Sequence, residues 1–119
     1  PVAEMVLKDL VSNQDTGNIT AALIIGQTAD YFGITIEALS SANRSRTIVT
    51  ARHIAMYLCR ELTDLSLPKI GREFGGRDHT TVMSADKKVR TQMSAQADTY
   101  KQVTELTSRI KQAAATPHS

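Results

Sequence analysis

Residues 66–82 read SLPKIGREFGGRDHTTV, and this run constrains the fold more than any other. Ser66 is a hydroxyl cap ahead of Leu67, and Pro68 falls in a first helical turn, where its missing N–H costs nothing. Leu67, Ile70 and Phe74 recur at helical spacing as a buried edge. Gly75 and Gly76 then break the chain, with Gly75 supplying the positive φ of a helix stop. An apolar repeat resumes at Val82 and continues through Ala85, Val89 and Met93. A short helix over 67–74, a glycine turn and a longer helix over 78–93 make a helix-turn-helix.

The rest of the chain also reads as helices, and no stretch sustains a period of two, so the fold class is all-α. Residues 19–33 form a helix capped by Thr20 and stopped by Gly33, with Leu23, Ile24, Ala29 and Phe32 inward. A short helix follows Thr35 over 35–42, then a basic loop, NRSRTIV, over 43–49. Residues 50–63 are the clearest long helix. Ile54, Ala55, Leu58 and Leu62 face inward, and Arg52, Arg60 and Glu61 lie on more polar sides. Residues 98–113 close the domain through Val103, Leu106 and Ile110, and the tail AATPHS frays. Residues 3–11 read as the end of a helix whose apolar face includes Met5 and Leu10, and 12–18 as a polar connector.

Charge narrows the partner. Residues 1–38 hold one basic against five acidic side chains, a balance of −4. Residues 39–90 hold ten against five, a balance of +5, and residues 40–60 contain four arginines and no acid. That middle region is the expected contact with an anionic partner. Cys59 is the only cysteine, which excludes an internal disulfide and a multi-cysteine zinc site and fits a reducing cytoplasm. His79 has no second histidine at ligand spacing, so no metal site is expected. No apolar run approaches a membrane span, and no leader pattern occurs. The sequence starts at Pro1 without Met, which fits initiator removal or a fragment boundary.

In a helix-turn-helix the second helix enters the major groove N-terminus first, so its first turn is where side chains meet base edges. That end also carries unpaired N–H groups and a partial positive charge. Asp78, His79, Thr80 and Thr81 crowd there. A carboxylate such as Asp78 accepts from cytosine N4, His79 donates or accepts, and the Thr80 methyl packs on a thymine methyl. Asp78 is equally an ordinary N-cap; both roles are compatible if one oxygen caps and the other faces DNA. The loop arginines suit a minor groove, and Arg52 and Arg60, two turns apart, suit a phosphate strand. Competing readings are a dimeric transcriptional regulator and a helical module that binds acidic protein. An enzyme is disfavoured, because no nucleophile, carboxylate pair or cofactor motif is evident.

The run TARHIAMYLCRELTDLSLPKIGREFGGRDHTTVMSADKKV, residues 50–89, closely resembles the signature region of the DnaA family of bacterial chromosomal replication initiators. The resemblance covers about residues 19–113. It implies that 19–113 is the C-terminal helix-turn-helix DNA-binding domain, that 1–18 are the end of a preceding lid subdomain plus connector, and that 114–119 are a tail. It implies binding of double-stranded DNA at an asymmetric DnaA box, consensus TTATCCACA, at the replication origin, and an initiator bound near a promoter can also repress. Matching positions for base contacts are Arg44 in the minor groove and Asp78, His79 and Thr80 in the major groove. Matching positions for backbone contacts are Arg46, Arg52, His53, Arg60, Pro68, Lys69, Arg77 and Thr81. His53 stands where some members carry Gln, and Ser84 where some carry His. Members are ATPases of the AAA+ class, but this sequence has no G-x-x-x-x-G-K-[ST] run. ATP, Mg and contacts with other protomers are therefore expected upstream of it. The resemblance also implies a cytoplasmic, nucleoid-associated location. The family's contact with acidic phospholipids is disfavoured here by the acidic balance of residues 1–38.

Overall fold

Each helix begins where a side-chain oxygen can take the place of a missing backbone acceptor. The computed structural model describes residues 19–115, which contain six helices and no strand. They are α1 (Ala21–Phe32), α2 (Ile36–Ser40), α3 (Arg46–Leu62), α4 (Leu67–Glu73), α5 (His79–Ala95) and α6 (Ala97–Ala115). Thr20, Thr35, Ser45, Ser66 and Asp78 cap α1 to α5, each accepting from the backbone N–H three residues on. Gly33 ends α1 at φ 68°, in the left-handed region that glycine enters without penalty. The expected helix over 3–11 and connector over 12–18 lie outside the described residues.

The third helix starts earlier than periodicity suggests. Residues 46–49 belong to α3 rather than to the basic loop. Asn43 Oδ1 accepts from Ser45 N at 2.8 Å, and Ser45 Oγ accepts from Ile48 N at 3.4 Å. The cap sits between two arginines, where a polar run hides it. Only residues 41–45 remain as the loop before α3.

α3 is the central element and packs against α1, α2, α4 and α5. It is therefore buried on most sides: Ala51, Ile54, Ala55, Met56, Leu58 and Cys59 are all inaccessible, well beyond the single stripe read from sequence, whereas Leu62 is only partly covered. Ile24, Leu39, Ile70, Phe74, Val82, Leu106 and Ile110 complete an almost wholly aliphatic core. Phe74 is its one fully buried aromatic ring, and truncating such a ring costs about 3–5 kcal/mol.

The helix-turn-helix is α4–α5, and its close approach depends on Gly71. A Cβ there would stand 1.9 Å from the Arg77 carbonyl oxygen. Arg77 N donates to Gly71 O at 2.9 Å, closing the turn onto the last coil of α4. Gly75 and Gly76 both adopt positive φ, 84° and 79°. A Cβ at Gly75 would also meet Ser40 O at 2.4 Å, so this turn is pressed against the end of α2.

Candidate nucleic-acid interface

The first turn of α5 is built around one carboxylate oxygen. Asp78 Oδ1 accepts from Thr81 N at 3.0 Å, Thr81 Oγ1 at 2.9 Å and Thr80 Oγ1 at 2.8 Å. The Thr80 hydroxyl, followed by the N–H and hydroxyl of Thr81, holds the Asp78 carboxyl below its ordinary value. All three bonds fall on Oδ1, and none of them engages Oδ2. Asp78, His79, Thr80 and Thr81 are all exposed. The sequence-predicted base readers of the recognition helix thus share one solvent-facing turn. Arg44 is exposed at the loop before α3, and Arg46 is exposed in the first turn of α3.

Two arginines expected on phosphate strands, Arg52 and Arg77, donate to backbone carbonyls of the chain itself. Arg52 is only 6% exposed. Its Nε donates to Leu39 O at 2.9 Å, and its Nη2 donates to Ala38 O at 3.3 Å, Ser41 O at 2.9 Å and Asn43 O at 3.0 Å. The reason is local: α2 ends in carbonyls without helical partners, and a guanidinium is a planar fork of five donors. Burial, then the neighbouring charge of Arg77, lowers the Arg52 pKa. Arg77 donates through Nη1 to Phe74 O, and through Nη2 to Ser41 O at 2.7 Å. The two guanidinium groups therefore meet on one carbonyl, that of Ser41, and fix the Arg44 loop against the turn before α5.

Arg60 is also engaged within the chain. Its Nη1 lies 3.1 Å from Asp86 Oδ2, and Arg90 Nε lies 3.0 Å from the same oxygen. Asp86 is 4% exposed, and Arg90 goes on to pair with Glu61 and to cover the Tyr57 ring. A buried carboxylate needs such partners, because an unpaired one costs several kcal/mol. Arg60 therefore fastens α3 to α5 through one nitrogen, while its side chain remains 43% exposed.

Beside the recognition turn runs an open groove of about 780 Å³, lined by His53, Thr80, Thr81, Ser84, Lys87 and Lys88 among others. His53 is half-buried in its wall. Burial first, then the charges of Lys88, Arg52 and Arg77, lower its pKa, so the free domain favours the neutral imidazole. The sequence reading did not single out Lys87 and Lys88. Their signal was available, since each lies seven residues, two helical turns, beyond Thr80 and Thr81. Pro68 and Lys69 are exposed at the start of α4. Among the described residues no three His, Cys, Asp or Glu side chains gather as a metal site, and no helix is long and apolar enough to cross a membrane.

Residues 21–89 match the family described as the bacterial dnaA protein helix-turn-helix. The chain is 59% identical over 111 residues to the chromosomal replication initiator protein DnaA of Cutibacterium acnes, an alignment covering 93% of this chain and 22% of that protein. It is 57% identical over 112 residues to the protein of the same name from Leifsonia xyli subsp. xyli, covering 94% of this chain and 24% of the relative. The chain thus spans less than a quarter of the length of these relatives.

Proposed function

Because the chain belongs to the bacterial DnaA family through its helix-turn-helix domain, we propose that it is the duplex-reading part of a chromosomal replication initiator, specific for a TTATCCACA-like box. The observation that carries this reading is the first turn of α5, where one oxygen of Asp78 orders the turn by accepting from Thr81 and from the Thr80 hydroxyl, and the exposed side chains of His79 and Thr80 stand beside it. The N-terminus of α5 enters the major groove. Asp78 Oδ2 accepts from a cytosine amino group, and His79 and Thr80 take neighbouring base edges. Arg44 reaches the adjacent minor groove from its loop. Arg46, Lys69, Thr81, Lys87, Lys88 and His53 face the phosphates, with Pro68 against the strand. Arg52 and Arg77 act behind them as positioning residues.

Origin binding, regulation at promoters, a cytoplasmic setting and assembly with other protomers are parts of the same proposal. The ATP and Mg chemistry belongs to initiator regions beyond this chain, which carries no phosphate-cradling loop motif. Fluorescence anisotropy on a duplex with one box and on a scrambled duplex, at several salt concentrations, tests the reading. A preference of about a thousandfold that persists as salt rises supports it. Equal binding that collapses together with salt would reduce the domain to a phosphate binder.

A further inference from the structure

The groove beside the recognition turn holds one group whose charge can change near neutral pH. His53 stands half-buried in its wall, and Ser84, Lys87 and Lys88 line it from α5, all three exposed. The imidazole has no hydrogen-bond partner among the described residues. The charges that act on it are all positive: Lys88 from α5, Arg52 from its own helix and Arg77 from the turn before α5. No carboxylate lines the groove. Asp78 is occupied by its capping bonds, and Asp86 is paired with Arg60 and Arg90. Glu37 of α2 and Glu73 of α4 do not line it either. His53 therefore sits among cations with no anion to offset them.

In the free domain these surroundings keep the imidazole neutral, burial acting first and the three cations after it. A backbone phosphate drawn in by Lys87 and Lys88 supplies the missing negative charge. An opposite charge at close range favours the imidazolium, whose second ring N–H is one more donor to the phosphate. We propose that duplex binding by this chain is coupled to proton uptake at His53: a phosphate seated in the groove draws a proton from solvent onto the imidazole, and release of the duplex returns it. The coupling is reciprocal, so a lower pH must tighten the complex. The gain begins as pH falls through the His53 value of the complex and is complete below that of the free domain. This rests on the duplex-reading function proposed above and makes one of its phosphate contacts dependent on pH.

The test follows anisotropy on the box duplex and on a scrambled duplex from about pH 7.5 to about pH 5.5, at fixed ionic strength so that screening stays constant. Over this range the unmodified chain is expected to gain about three- to tenfold more affinity for the box than His53→Gln, since one unit of displaced pKa is worth tenfold. His79 is present in both chains, so only the difference between them is read. His53→Lys, with its charge fixed, should follow the pH dependence of His53→Gln. A second measurement needs no variant: the His53 imidazole, titrated by NMR in the unmodified chain, should hold its proton to higher pH on the box duplex than in the free domain. Parallel pH curves for the unmodified chain and His53→Gln, or an imidazole titration unchanged or lowered on the duplex, would overturn the coupling. If the unmodified chain does not prefer the box to the scrambled duplex at any pH, the duplex-reading proposal itself fails, a result distinct from parallel curves on a box that is read.

Discussion

The loop at residues 41–45 and the turn at residues 74–78 both present an exposed polar tip, and both have a guanidinium behind them. They are built in opposite ways. The turn makes itself: glycines at 75 and 76 take the positive φ, Gly71 lets the chain close, and Arg77 folds back onto Phe74 O. The loop is made from outside, since Arg52 reaches across from α3 to take the carbonyls of residues 38, 39, 41 and 43. A cluster of basic residues therefore divides into two kinds. Arg44 and Arg46 are offered to a partner, while Arg52 and Arg77 organise the backbone that offers them.

The comparison can be broken most forcefully at Gly71. With its Cβ 1.9 Å from Arg77 O, Gly71→Ala should destabilise the domain by about 3 kcal/mol, read by chemical denaturation. Gly76→Ala meets nothing within 4 Å and should cost only about 1 kcal/mol for its left-handed φ. Similar losses for the two would mean that the turn yields freely around residue 71. The loop is broken next. Arg52→Ala strands carbonyl groups and should cost about 1–3 kcal/mol of stability. Arg44→Ala should leave stability unchanged and weaken only DNA binding. An Arg52→Ala domain as stable as the unmodified one would remove its positioning role.

The cap separates structure from reading within a single side chain. Asp78→Ala should lower the denaturation midpoint, because the Thr81 N–H loses its capping oxygen. Asp78→Asn retains an accepting oxygen, and it should keep most stability while changing the preferred base, measured on boxes altered at single positions. The smallest effect concerns His53. Its pKa in the folded domain is lowered, so between that value and the ordinary value near 6.5 the unfolded chain binds the extra proton. The stability contribution of neutral His53 is complete above that window and is lost as pH falls through it. Denaturation of His53→Gln between pH 7.5 and 5 should show a shallower acid decline; an identical decline would place the titration elsewhere.

What was legible in the sequence was what local chemistry decides. Thr20, Thr35, Ser66 and Asp78 cap because a short oxygen-bearing side chain before an apolar repeat can do little else at that position, and Gly33 and Gly75 stop helices for equally local reasons. The exposed turn at 78–81 was visible for the same reason. Gly71 was not, because its need arises from a carbonyl six residues away that only the folded turn brings near. Arg52 was read as a surface charge because periodicity treats every arginine as polar; nothing local announces the end of α2 that claims it, and the buried Asp86 that pairs with the exposed Arg60 is equally silent in the sequence. The burial of Met56, Tyr57 and Cys59 depends on four neighbouring helices surrounding α3, which no single helix can signal.

The central position of α3 has a consequence for the single thiol it carries. Cys59 is fully buried, and burial pushes its thiol up to about 12, so at neutral pH almost no thiolate exists to meet a reagent. A maleimide or disulfide reagent can react only when the helices around α3 part. The chain therefore contains its own clock for opening, one reporter at the centre of the core. Its labelling rate, compared with and without a bound duplex, would time how long the domain stays closed.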